Sequence, residues 1–148
     1  MELIRMPSSV TVGMLPPQYR FSLHTGPRTG QIRCPVCDGL TRPRVLPLAI
    51  YVDADRTVSV ETVCRYCREC DLVTACRDDI DAGLAEHFLV TDPSVVGAPY
   101  LVLGTFDEVA MSLRGGAPIT LQETTDYLHD FREVLVPVGS GMRGRIAA

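Results

Sequence analysis

Two Cys-x-x-Cys units constrain this chain more than any other feature. The first is Cys34-Pro-Val-Cys37-Asp-Gly39, and the second lies in the run Cys64-Arg-Tyr-Cys67-Arg-Glu-Cys70. Five of the six cysteines fall between Cys34 and Cys70. In a reducing compartment such pairs bind metal or do redox work more often than they form structural disulfides. A Cys-x-x-Cys turn places two sulfurs on one metal while its backbone amides point at them, and two such turns complete the tetrahedron that zinc favours. In the first turn Pro35 pre-sets the backbone and Gly39 permits positive φ.

The interval between the turns reads as a β-hairpin. Pro43 to Val52 carries apolar Val45, Leu46, Leu48, Ile50 and Val52. Pro47 removes one ladder hydrogen bond, which predicts an edge strand or a bulge. Asp53-Ala54-Asp55-Arg56 suits the turn. Thr57 to Val63 sets Val58, Val60 and Thr62 against Thr57, Ser59 and Glu61, the pattern of a half-buried strand. The cysteines of the second unit are spaced three apart twice, so register must choose among them. A turn centred on Ala54-Asp55 puts Val52 opposite Thr57, Cys64 opposite Val45 and Cys67 opposite Arg42. Cys67 and Cys70 then lie level with the first turn, and Cys64 falls inside the strand. The preferred ligand set is Cys34, Cys37, Cys67 and Cys70. The alternative is Cys34, Cys37, Cys64 and Cys67, and an iron–sulfur cluster could use the same four thiolates.

The pattern Cys-Pro-x-Cys, an apolar hairpin, then Cys-Arg-Tyr-Cys-x-x-Cys-Asp-Leu resembles that of zinc-ribbon proteins. Within that group it is similar to small bacterial proteins of uncharacterised function that carry Cys-x-Tyr-Cys-x-x-Cys-Asp-Leu. The resemblance spans residues 15–105, and its specific part is 34–39 and 64–72. It implies a zinc-bound hairpin held by Cys34, Cys37 and two of the three later cysteines. It brings no substrate. By analogy alone, zinc ribbons raise the expectation of nucleic-acid or protein contacts.

Around this centre, 148 residues with 46% apolar content fit one domain, or one small domain with a satellite. No apolar run approaches the roughly 20 residues of a membrane span. The start, Met-Glu-Leu-Ile-Arg-Met-Pro, lacks a signal peptide's apolar region, so a cytoplasmic location is expected. Residues 1–30, punctuated by prolines and glycines, read as an irregular wrap with short strands at Ser9–Met14 and Tyr19–Leu23. Residues 31–73 form the zinc-ribbon hairpin. Residues 74–137 form an α/β extension packed on it. A helix is predicted over 74–92, with Ile80, Leu84, His87 and Phe88 on one face. A strand follows at Tyr100–Leu103. The capping-box spacing Thr105–Glu108 opens a short helix stopped by Gly115-Gly116. A second box, Thr120–Glu123, opens a helix whose stripe Thr124, Tyr127 or Leu128, Phe131, Val134 and Leu135 runs to Pro137. Residues 138–148 read as a flexible tail. The expected fold is α+β: a zinc-ribbon β-hairpin with additional strands and about three helices packed on it.

Other chemistry is thinly signalled. His24, His87 and His129 form no metal or triad motif, and His87 is expected to pack on the helix face. No phosphate-binding loop or nucleophile elbow occurs, so an enzyme is not the favoured reading. Asp78, Asp79 and Asp81 suit a helix first turn. Cys64 or Cys76 could act as a redox thiol near Arg65, Arg68 and Arg77. Residues 1–70 hold nine arginines against six acidic residues, +3, whereas residues 71–148 hold five against twelve, −7, and lysine is absent. Arg33, Arg42, Arg44, Arg65 and Arg68, with Tyr66 for stacking, are candidate nucleic-acid contacts. The favoured expectation is a structural four-cysteine zinc supporting contact with a protein partner or a second copy in a homodimer.

Overall fold

The computed structural model describes residues 3–7, 12–25, 32–53, 56–89, 92–93, 97, 99–114, 119–137 and 145–146. Among these residues nine strands join in one sheet, which curls into a half-barrel. The strands are β1 (Leu3–Pro7), β2 (Arg20–His24), β3 (Arg42–Asp53), β4 (Arg56–Cys67), β5 (Leu72–Cys76), β6 (Leu101–Phe106), β7 (Leu128–Asp130), β8 (Glu133–Pro137) and β9 (Arg145–Ile146). Three helices accompany them: α1 (Arg77–Phe88), α2 (Glu108–Arg114) and α3 (Leu121–Tyr127). The order across the sheet is β1-β8-β2-β5-β4-β3-β6-β7, with β9 beside β6.

This corrects the zinc-ribbon expectation. The β3–β4 hairpin exists, but it is no small free-standing ribbon. It lies mid-sheet, with β5 on its β4 side and β6 on its β3 side. The class remains mixed α and β, with sheet dominant. The reason lies in the burial of β3. Leu46, Leu48 and Ile50 face a large core with Phe21, Val60, Val73, Val102 and Phe131, and the intervening Ala49 is buried on the opposite face with Phe106 and Leu128. A strand covered on both faces belongs inside a sheet. Pro43 and Pro47 lie where β3 pairs with β4 but not yet with β6, whose pairing begins at Leu48. An unpaired edge is where a strand tolerates proline.

The hairpin register differs by one residue from that expected. Asp53 pairs with Arg56 as the turn predicts, but an irregularity between Tyr51 and Asp53 shifts the rest, so Tyr51 faces Thr57 and Arg44 faces Cys64. A β-bulge inserts just such an extra residue. Ala54 and Asp55 lie outside the described residues, as do 9–11 of the predicted strand at Ser9–Met14 and most of the tail.

Two helix expectations fail in instructive ways. Leu72–Cys76 is a fully buried strand, parallel to β2 and antiparallel to β4, and α1 begins only after it. The stripe after Thr120 breaks at Tyr127: Leu128–Asp130 and Glu133–Pro137 are strands. Spacings of three or four residues in a short apolar run do not separate one helix from two strands, and the Val-Leu-Val of β8 favours the strand. The Thr120–Glu123 capping box forms with both reciprocal bonds. The Thr105 box does not, because Thr105 lies in β6 and Asp107 caps α2 through Oδ2 to the Ala110 N–H at 3.0 Å.

α1 lays Ile80, Leu84 and Phe88 on the main core. Gly83 lets the helix approach β4, since a Cβ there would run into the Val60 side chain. His87, expected to be packed, is exposed, with its ring edge-on to Phe88. Phe21 and Phe131 stack at 4.4 Å and tie β2 to the loop before β8.

Candidate metal centre

The first cysteine turn sits in the loop that leads into β3. The Asp38 N–H donates to the Cys34 carbonyl at 2.9 Å, and the Cys34 N–H donates to the Gly39 carbonyl at 2.8 Å. The residue with positive φ is Asp38, at 61°, not Gly39. Gly39 serves differently: a Cβ there would crowd the Cys37 sulfur. The Val36 N–H points at Cys34 Sγ and the Gly39 N–H at Cys37 Sγ, each at 3.4 Å. An Arg33–Leu40 bridge and the Thr41 bonds to the Ile32 carbonyl close the loop. Arg65 reaches across from β4 to hold Thr41 through Oγ1 at 2.9 Å and the carbonyl at 2.6 Å.

The second turn is the β4–β5 connection. Cys67 ends β4 opposite Leu72, and residues 68–71 make the turn. Asp71 takes φ 50°, a left-handed conformation that Asp tolerates better than most residues. Three groups hold it there. Its Oδ1 accepts from Tyr66 Oη at 2.7 Å, its Oδ2 accepts from Arg132, and its carbonyl accepts from the Arg20 N–H at 2.8 Å. Arg20 also donates to the Cys70 carbonyl at 3.3 Å and pairs with Glu133 at 3.1 Å. The sequence reading missed this anchoring role. Its signal lay in the Tyr and Asp of Cys-x-Tyr-Cys-x-x-Cys-Asp.

The two turns bring Cys34, Cys37, Cys67 and Cys70 together, with all four sulfurs within 4.8 Å of one another. Cys37 Sγ lies 3.6 Å from Cys67 Sγ. Four thiolates about 2.3 Å from one zinc would stand about 3.8 Å apart in a tetrahedron. The donor set and its spacing therefore fit a single thiophilic ion. Cys34 and Cys67 are buried with Leu72 and Leu135, whereas Cys37 faces solvent. The Gly39 N–H, then the neighbouring thiols, hold the Cys37 thiol below its ordinary range. Burial pushes Cys67 up and Cys70 up to about 12. The site without an ion therefore retains protons that binding must expel.

Cys64 does not join them. It is fully buried in the main core, bonded to the Thr62 carbonyl, and burial followed by the nearby Asp79 pushes its thiol up to about 12. A buried protonated thiol is inert, which removes the basis for a redox role there. Cys76 is also buried, at the N-cap of α1.

The predicted basic contacts are dispersed among other duties. Arg33 donates to the Asp38 carbonyl, Arg65 is taken up by Thr41, and Arg44 bonds Tyr19 Oη and stacks over the Tyr66 ring at 4.1 Å. Tyr66, half-buried, is edge-on to Tyr19. Arg42 and Arg68 are exposed. Among the described residues no helix is long and apolar enough to cross a membrane.

No family model, curated protein or solved structure matches the chain.

Proposed function

We propose that Cys34, Cys37, Cys67 and Cys70 hold one zinc ion as a structural cross-link. The observation that carries this is the convergence of four sulfurs, from turns thirty residues apart in the chain, into a group only 4.8 Å wide. A multi-iron cluster would spread its thiolates wider, so a single ion suits the site better. Amides aimed at Cys34 and Cys37 stabilise thiolate charge. Two further turns of support, Arg65 on Thr41 and Arg20 on Cys70, fix the loops before any ion arrives. Bound zinc would fasten the loop over 32–41 to the β4–β5 turn.

The cross-linked loop carries Ile32, Val36 and Leu40 with their side chains exposed. Apolar groups presented on a stapled loop support a contact role toward a protein, either a partner or a second copy of this chain. Nucleic-acid binding has less support, because Arg33, Arg44 and Arg65 already have intramolecular partners.

Metal content of purified, reduced protein tests the ligand set. One zinc per chain is expected for the parent, for Cys64→Ser and for Cys76→Ser, with loss in Cys34→Ser, Cys37→Ser, Cys67→Ser and Cys70→Ser. Retention of metal in the Cys70→Ser protein together with loss in Cys64→Ser would overturn the assignment.

A further inference from the structure

Away from the cysteines, the segment 12–18 is strapped across the end of β7, and its last residue, Gln18, lines a cavity of about 300 Å³ together with Tyr19. The strap is built by backbone recognition. Asp130 accepts the Val12 and Gly13 N–H groups at 3.0 and 2.7 Å, and the Gln18 N–H donates to the Asp130 carbonyl at 2.8 Å. Leu46, Pro47, Phe106 and Val109 give the cavity apolar walls, and Asp107, Glu108 and His129 give it polar ones.

His129 falls in the stretch after Thr120 that reads as one helix; it lies on β7 with its side chain only 12% exposed. Its Nδ1 stands 2.7 Å from the Pro16 carbonyl oxygen. A carbonyl only accepts, so Nδ1 carries the proton, and in the neutral ring Nε2 presents a lone pair. Asp107 Oδ1 stands 4.0 Å from that Nε2. The other carboxylate oxygen, Oδ2, is occupied by the Ala110 N–H, which fixes how the group is turned. Two acceptors thus face each other across a gap too wide for a mutual hydrogen bond, in a cavity of the size that takes small ligands. A metal about 2.1 Å from both atoms would hold them about 3.4 Å apart in a tetrahedron. Among the described residues no third His, Cys, Asp or Glu ligand atom joins this pair. A donor nitrogen about 2.9 Å from each fits the wider gap.

The geometry points to a binding site for a small organic ammonium, a primary amine with a short apolar body. Its N–H groups bridge His129 Nε2 and Asp107 Oδ1, Glu108 adds a second negative charge, and its carbon chain lies along the exposed Val109. Arg44 is the nearby cation; it is bonded to Tyr19 Oη and is not among the residues lining the cavity.

Titration of the full chain with n-butylammonium tests this, followed by the His129 ring resonances, with n-butanol as the uncharged isostere. Saturable shifts at His129 with the amine, absent with the alcohol, are expected. Asp107→Asn keeps an oxygen to cap α2 while removing the charge, and it should weaken binding about tenfold, the size of one charge-assisted hydrogen bond. His129→Gln, followed instead by the backbone amide resonances of Phe106 and Asp107, should abolish saturation, with an unchanged thermal transition as its folding control. No saturable shift, equal response to amine and alcohol, undiminished binding in Asp107→Asn, or a His129 response to zinc but not to the amine would each overturn the proposal.

Discussion

Burial decides which cysteine is chemistry and which is core. Cys64 has the same sequence spacing to Cys67 that Cys67 has to Cys70, yet it is fully buried in the main core while the others meet at the two turns. In the folded protein Cys64 should resist maleimide labelling that modifies any accessible thiol, as read by intact mass. Cys64→Ser buries a hydroxyl in an apolar setting and should cost about 1–3 kcal/mol in urea unfolding while leaving metal content unchanged. Its titration carries a sign. The folded thiol is pushed from 9.0 to about 12, so the folded state holds a proton that the unfolded state releases. This stabilisation is complete below pH 9 and is lost as pH rises toward 12. The parent should therefore lose more stability than Cys64→Ala over that window. At the metal centre the raised Cys67 and Cys70 thiols act in the other direction on binding. Zinc displaces their protons, so affinity should rise with pH across the neutral range, by at least about tenfold per unit in a chelator competition.

At the scale of the element, the second turn depends on Asp71 more than on any cysteine neighbour. It combines a left-handed backbone with bonds to Tyr66 and Arg132. Asp71→Ala should cost about 2–3 kcal/mol of stability and weaken zinc binding, whereas Asp71→Asn, which accepts αL, should lose less. Gly83 offers a second test. Replacing an exposed helical glycine by alanine usually stabilises by about 1 kcal/mol, but here the methyl meets Val60. Gly83→Ala should instead destabilise, and Val60→Ala should relieve it in a double-mutant cycle. These elements also show what was legible in the sequence. The first cysteine turn, the β3–β4 hairpin and the Thr120 cap were readable because each is set by local chemistry: Pro and Gly at fixed places, period-two alternation, a Thr–Glu pair. Register past the turn was not, since nothing in Tyr51-Val52-Asp53 announces the irregularity. Nor were β7 and β8, because Leu128, Phe131 and Val134 satisfy a helical stripe equally well, and only pairing with β6, β1 and β2 makes them strands. The role of His129 comes from Pro16, and that of Asp71 in part from Arg132, partners more than fifty residues distant in sequence.

At the scale of the molecule, the sheet moves the four-cysteine cluster from the base of a free-standing ribbon to the β4–β5 turn and the loop before β3 of a larger sheet. The main core, from Phe21 through Ile50 to Phe131, includes none of Cys34, Cys37, Cys67 and Cys70. Removing the ion should therefore leave a cooperative fold. Chelation is expected to raise amide exchange over 32–41 and 67–72 while amides of central β3 and α1 stay protected, a local opening and not a global one. The centre itself is tested most directly by X-ray absorption at the metal edge of the purified, reduced chain. One zinc surrounded by four sulfurs at about 2.3 Å is the expected result. A first shell containing nitrogen or oxygen, a multi-iron signal, or no bound metal would contradict it.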